Sequence, residues 1–279
     1  MNIAVVVLTH NESGNIARCL RSVYWATDIL VVDSGSTDGT PSIAKGMGAR
    51  VLTRPFDSFA VQRNFAMEAG DLRAEWTLHL DADEEVPVKL RSELEDLVVR
   101  GGDVGKEVYK VPSRLLLDGR WLKRSGMYPS YQVRFGRTES LRFIDHGHGQ
   151  REVQSLDKVG TISTPLDHHN FSKGINDWFS RHLRYARLEA IENENASTGR
   201  WSLKGVLSFD KTVRRRSLKT LGSRMPFSPL IRFFYHYFIR GGLLDGRAGF
   251  QYSFMLAIYQ YFIVLNRREI RQEQGASRG

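Results

Sequence analysis

The sequence is short of cysteine: Cys19 is the only one in 279 residues. That excludes an internal disulfide and any metal cluster built on cysteines. Cys19 itself is expected on the buried face of a helix and not as a nucleophile. A basic, apolar leader is also missing, since the first apolar run ends by Leu8 with no cation before it. No signal peptide is therefore expected, and the chain is expected to stay in the cytoplasm. No Gly-X-Gly-X-X-Gly and no other glycine-rich phosphate loop follows Leu8, which argues against a dehydrogenase and against a sugar-phosphate nucleotidyltransferase. Internal repeats and low-complexity segments are absent too. What is present is ordinary for a globular chain, 41% hydrophobic and 25% charged. A chain of this length can bury a sizeable core, as one domain or as one domain with an appendage.

The net charge of +9 is unevenly placed. Between Trp201 and Gly279 there are 14 Lys and Arg against 4 Asp and Glu, a surplus of 10, while the first two hundred residues sum to −1. The basic excess belongs to the C-terminal region, which raises the question of what acidic surface it meets.

Ile3 to Leu8 is a continuous apolar run rich in β-branched residues, the mark of a strand buried on both faces. His10-Asn11-Glu12-Ser13 interrupts it, and Ile16, Leu20 and Val23 follow at helical spacing. Ile29 to Val32 reads as a second strand ending at Asp33. The turn from Ser34 to Gly39 follows, with Thr40 as helix cap and Pro41 as first helical residue. Arg50 to Leu52 reads as a third strand and Phe59 to Ala69 as a helix. Trp76 to Leu80 reads as a fourth strand, and a helix after Pro87 buries Leu90, Leu94 and Leu97. This alternation predicts an α/β fold with a parallel sheet and right-handed crossovers. From Val108 the strands (Val108 to Leu117, Tyr131 to Phe135, Val159 to Ser163) look shorter and belong to a mixed sheet. Asn176 to Glu194 reads as one helix. The expected domains are 1–199, with halves at about 1–105 and 106–199, and a helical, basic and aromatic extension over 200–279, the boundary lying near Ser197-Thr198-Gly199.

The stretch from Leu78 to Glu85 carries the strongest chemical hint. Asp81 and Asp83 are two apart, so at the end of a strand they converge on one side. Ligands of open α/β sheets sit at the carboxyl ends of the strands. Two hard oxygen donors there suit Mg²⁺ or Mn²⁺, held together with substrate phosphates. The plainer alternative is a solvated acidic loop before a helix. Against it, polar clusters also follow the first and second strands, at Asn11-Glu12 and Asp33 to Asp38, and all three would line one sheet edge. Glu84 and Glu85 read as helix-start acids.

Thr9-His10-Asn11-Glu12, Val32 to Asp38, Gln62-Arg63-Asn64 and Leu80 to Asp83 resemble, in order and spacing, the family 2 glycosyltransferases of the GT-A fold. Asp167-His168-His169, Trp178, His182, Tyr185 and Arg240 to Phe250 resemble the bacterial subgroup that includes lipopolysaccharide-core β-1,4-glucosyltransferases. The resemblance implies a Rossmann-like mixed sheet flanked by helices and an inverting sugar transfer from a UDP-sugar to a glycolipid or saccharide acceptor. Thr9, Asn11, Glu12 and Asp33 would hold the uridine. Arg63 would lie near the nucleotide or sugar, or else be a surface arginine. Asp81 would face the ribose or the metal, and Asp83 would bind the metal. Inversion needs a general base; Glu152 is the first candidate and Asp145 the second, each also readable as a surface turn acid. His169 is favoured over His168 for completing the metal shell, although such a pair is also an ordinary hydrogen-bonding element. His182 and Tyr185 would touch an acceptor sugar or pack in the core.

Pro229 to Arg240 is aromatic and flanked by arginines, and Phe250 to Leu265 is apolar yet shorter than the roughly 20 residues of a spanning helix. With Arg214-Arg215-Arg216 and Arg267-Arg268, the tail reads as an anchor to an anionic membrane surface, peripheral at the inner face of the cytoplasmic membrane. The alternative is a helical subdomain with a solvated basic face. No nucleic-acid reader motif is present, so nucleic acid is not an expected partner. From a different functional class, a membrane-tethered nucleotide-sugar-binding protein without turnover would share most of these features.

Overall fold

The computed structural model describes residues 2–146, 149–195, 210 and 227–276. The chain divides into two compact units: Met1–Trp121 with Tyr128–Lys173, and Leu122–Met127 with Gly174–Gly279. The expected boundary near residues 197–199 lies outside the described residues.

In the first unit, β1 (Ile3–Thr9), β2 (Asp28–Asp33), β3 (Arg50–Thr53) and β4 (Trp76–Asp81) run parallel in the order β3-β2-β1-β4. The helices α1 (Ile16–Ser22), α2 (Thr40–Gly46) and α3 (Phe59–Ala69) connect them. Every residue of β1 is buried because helices cover both faces. Val5 and Val7 join one core with Ile16, Cys19, Leu20, Leu90 and Leu94, whereas Val6 and Leu8 join another with Leu30, Val32 and Ala66. The alternation is the two-residue period of a strand, and it places Cys19 where a buried apolar residue belongs. Thr40, expected as a cap, is instead the first residue of α2, after Gly39 at φ +84°. Its hydroxyl accepts the Glu12 N–H at 2.9 Å and donates to Asp38 at 2.5 Å, so it ties the loops after β1 and β2 together.

After β4 come β5 (Glu84–Glu85), α4 (Val88–Val99), β6 (Val108–Leu117), β7 (Arg120–Trp121) and β8 (Ser130–Arg137). Then follow the hairpin β9 (Phe143–His146) and β10 (Gly149–Glu152), β11 (Val159–Thr161) and β12 (Leu166–His168). β8 pairs antiparallel with β4 and with β6, and β12 runs parallel to β6 and antiparallel to β5. The result is the mixed sheet flanked by helices that the resemblance implies, ten strands in all. β11 stops two residues short of the expected Ser163, whose N–H and hydroxyl both bind Glu93 of α4 and leave the ladder.

The described part of the second unit is mostly helical, Leu122–Met127 being a turn. It contains α5 (Ile175–Asn195), α6 (Ser228–Phe234) and α7 (Gly246–Ala276), with a π-helical turn (Tyr235–Ile239) and a 3₁₀ turn (Gly242–Asp245) between α6 and α7. His182 stacks on Trp178 with centroids 3.5 Å apart and meets Tyr259 edge-on, so it serves packing within this unit. Burial pushes its pKa down to about 4, against the pull of the Trp178 carbonyl it binds. At 31 residues α7 is far longer than the apolar run Phe250 to Leu265. The stretch Gly242–Gln274 is long and apolar enough to cross a membrane by length and composition, but half of its most apolar window is buried in the protein. Within the Gly-Gly-Leu-Leu-Asp-Gly-Arg-Ala-Gly motif, the Asp245 carboxylate accepts the Arg124 and Ser125 N–H groups and the Ser125 hydroxyl. A Cβ on Gly249 would stand 2.0 Å from the Gly242 carbonyl oxygen. Gly249→Ala is therefore expected to cost about 1–3 kcal/mol in urea denaturation; a loss below about 0.5 kcal/mol would mean the backbones part freely there.

Candidate functional site

Three parallel strands deliver their last residues to one edge. Thr9 of β1 lies opposite Asp33 of β2, and Leu8 lies opposite Asp81 of β4. The loops beyond are tied together by their polar side chains. Asn11, at φ 52°, donates its N–H to the Ser36 hydroxyl and accepts the Thr37 N–H on its side-chain oxygen. Asp33 is buried and accepts the Gly35 and Ser36 N–H groups and the Ser36 hydroxyl, at 2.5–3.0 Å. Its carboxylate thus shapes the turn that follows β2. Thr9 is buried, and its hydroxyl finds no partner among the described residues. Glu12 accepts from Asn15 at 2.6 Å and pairs with Lys173 at 2.6 Å. Burial raises its pKa, with the charge of Asp83 adding to the effect, despite Asn15 and Lys173.

Around Asp81 the structure holds more than the sequence showed. Arg63 of α3, only 1% exposed, donates to Asp81 Oδ1 at 2.7 Å. Arg134 of β8 donates to Asp81 Oδ2 at 2.7 Å and to Glu84 Oε1 at 2.9 Å. The surface reading of Arg63 does not hold. Burial, together with the nearby Arg134 charge, lowers its pKa to about 10 against the pull of Asp81. For Asp81 burial would raise the pKa, but the two arginines outweigh it and hold the carboxyl well below the usual range. Each guanidinium keeps buried N–H groups without a partner among the described residues, Nε and Nη1 of Arg63 and Nη1 of Arg134. Buried donors of this kind are ready to meet an anion.

Glu84 is not a helix-start acid. It lies in β5, which pairs with β12, and it is 2% exposed while accepting the Asp81 N–H at 2.9 Å. Pairing with β12 pulls it out of the first turn of α4 and into the cluster, where burial raises its pKa. Glu85 stays at the rim, 3.1 Å from His169 Nε2.

Asp83 meets an imidazole, that of His168, at 3.2 Å. His169 donates its backbone N–H to the Asp83 carbonyl at 2.8 Å, and its ring turns to Glu85. Strand parity decides between the two histidines. Along β12 Asp167 faces Arg114, so the next side chain, His168, points to the other side, where Asp83 lies. Burial would lower the His168 pKa, but Asp83, Glu84 and Asp81 together raise it to about 9.

These donors suit a divalent ion in part. Asp83 offers a hard carboxylate and His168 an imidazole, whereas both oxygens of Asp81 already accept from arginines. Among the described residues no three His, Cys, Asp or Glu side chains converge as a complete protein-made site. A site with few protein donors is the kind Mg²⁺ occupies when substrate phosphates complete its shell.

The two candidate bases lie on the β9–β10 hairpin, away from this cluster in sequence. Asp145 is exposed. Glu152, paired in register with Phe143, lines a cavity of about 470 Å³ with Lys110, Tyr131, Gln132 and Gln150. Gln132 belongs to β8, the strand that also carries Arg134 to Asp81. Arg134 was missed by the sequence reading. The one signal for it was a charge inside the apolar strand Tyr131 to Phe135, and nothing local said that its face would be covered.

Residues 4–146 match the family model described as glycosyl transferase family 2. A lipopolysaccharide core biosynthesis glycosyltransferase, LpsC of Rhizobium meliloti, is 26% identical over 274 residues, covering 92% of each chain. A Rickettsia prowazekii protein named as an uncharacterized glycosyltransferase is 43% identical over 96 residues, 33% of this chain, and the match spans only 32% of that protein's length. Among solved structures, glucosyl-3-phosphoglycerate synthase of Mycobacterium tuberculosis, crystallised with Mn²⁺, UDP-glucose and phosphoglyceric acid, aligns with a TM-score of 0.46 and 18% identity. That alignment covers 68% of this chain and 77% of the synthase.

Proposed function

This chain belongs to glycosyl transferase family 2, and on that premise we propose that it moves a hexose, glucose being the first candidate, from a UDP-sugar to a lipid-linked or polysaccharide acceptor with inversion. The observation that carries the reading is the gathering of Asp33, Glu12, Asp83 with His168, and the arginine-braced Asp81 at one sheet edge. Thr9, Asn11, Glu12 and Asp33 would frame the uridine. Thr9 brings a free hydroxyl, while Asn11 and Asp33 hold the loop that the base would lie against. Asp83 and His168 would hold Mg²⁺ or Mn²⁺, which when bound neutralises charge on the departing UDP. The unpartnered N–H groups of Arg63 and Arg134 would face the anionic donor.

In the transfer, the acceptor hydroxyl gives its proton to a carboxylate as its oxygen attacks the anomeric carbon. The bond to UDP breaks on the opposite face. Glu152 is the base favoured here because it lines a cavity that an acceptor sugar could enter, with Tyr131 as an aromatic wall; Asp145 is the second choice. The relation to LpsC supports an acceptor of the lipopolysaccharide kind, and hence a peripheral place at the cytoplasmic membrane.

Incubation with a panel of nucleotide sugars, each with Mg²⁺ or Mn²⁺, tests this. UDP release from one UDP-sugar and its loss on chelation with EDTA are expected. Binding of UDP-sugars without turnover under any acceptor would favour the tethered binding protein.

A further inference from the structure

The second unit carries an apolar surface that its own packing does not use. Leu230, Phe234 and Phe238 repeat every four residues along α6 and the π-helical turn, and each is more than half exposed. Phe250 and Phe254 repeat in the same way on α7 and are 46% and 53% exposed. The two rows are one surface: Phe233 touches Phe234, Phe250 and Phe254, and Tyr237 touches Phe238 and Phe250. At one end stand Ile239 and Leu244, 77% and 74% exposed. Scattered exposed apolar residues are normal, but a contiguous aromatic patch is not.

Cations rim this end. Arg124 is held beside Leu244, its backbone N–H on Asp245 and its side chain near Gly241. Arg240 and Arg247 flank the same turn. None of the three forms an ion pair among the described residues, and the one local acid, Asp245, is taken up by the backbone N–H groups of Arg124 and Ser125. Arg267, counted above among the tail's basic residues, does not contribute. It is 6% exposed and paired with Glu194 at 2.6 Å, while Arg214–Arg216 lie outside the described residues.

We propose that this face, from Leu230 to Phe254 with Leu244 at its tip and Arg124, Arg240 and Arg247 around it, seats on an anionic lipid bilayer. Aromatic rings and leucines suit the headgroup boundary, and arginines suit its negative charge. A second copy of the chain is the poorer occupant, because a two-fold pairing would bring like-charged rims together. Spanning is disfavoured by the half-buried α7. The inference sharpens the peripheral location proposed above, yet vesicle binding is read without turnover, so either can fail alone.

The test uses the full chain and vesicles of phosphatidylcholine alone or mixed with phosphatidylglycerol. Co-sedimentation with the mixed vesicles only is expected, weakening with salt. Phe238→Ser with Leu244→Ser, both at exposed sites, should abolish it while the circular dichroism spectrum stays native. Arg124→Gln with Arg247→Gln should weaken it about thirty-fold, taking roughly five-fold for each arginine near the surface. Wild-type failure to sediment, or unchanged binding by both variants, would overturn the proposal. So would a wild-type dimer on gel filtration that Phe238→Ser with Leu244→Ser splits, since the face would then be a self-interface.

Discussion

Asp83→Ala is expected to lower UDP-sugar turnover by roughly a hundred- to a thousand-fold while leaving the fold intact. One feature supports so selective an effect. Asp83 pairs with His168 at the rim of the cluster, where the two side chains are 17% and 27% exposed, and Asp81 and Glu84 still face the imidazole when Asp83 is gone. The stability change should stay near about 1 kcal/mol, the scale of one hydrogen bond. Turnover assays paired with urea denaturation measure both. Near-normal turnover would reject Asp83 as the residue that holds the ion.

Arg134→Met should have the opposite profile, with a large loss of stability. Arg134 is 4% exposed and bridges Asp81 and Glu84, both acidic, leaving Arg63 on Asp81 and the imidazole of His168 to balance them. Removing one partner of a buried ion pair costs about 3–5 kcal/mol, because the remaining charge has neither water nor counter-charge. Arg134→Lys keeps the charge but cannot span two carboxylates with one planar fork, so it should recover only part of the loss. Urea midpoints of the two variants and the wild type decide it. A loss below about 1 kcal/mol for Arg134→Met would show that the cluster relaxes or fills with water.

The parts of this molecule that were legible in the sequence are those whose cause is local. The β-branched run of β1, the i, i+4 and i+7 leucines of α4, and the strand ending at Asp81 each follow from a period and a break within a dozen residues. Asp81 and Asp83 were recognisable because a strand end delivers alternate residues to one side.

What was illegible depends on pairing between distant segments. Arg134 is fifty-three residues from Asp81, and only the antiparallel meeting of β4 and β8 brings them together. Glu84 looked like an ordinary first-turn acid because its partner strand, β12, begins at Leu166. Choosing His168 over His169 at Asp83 required the parity of that same strand. The Arg240 to Phe250 motif shows a further limit. Its conspicuous glycines and Asp245 serve close backbone approach, and the residues that face outward, Leu244 and Arg247, are not what makes the motif stand out.

The most direct measurement is calorimetric titration of the wild-type protein with UDP, with Mn²⁺ present and with EDTA in its place. One nucleotide bound per chain, tightly with the cation and at least about ten-fold more weakly without it, is the predicted result. Equal affinity in both, or no binding in either, would contradict a nucleotide-sugar site built on Asp83 at this sheet edge.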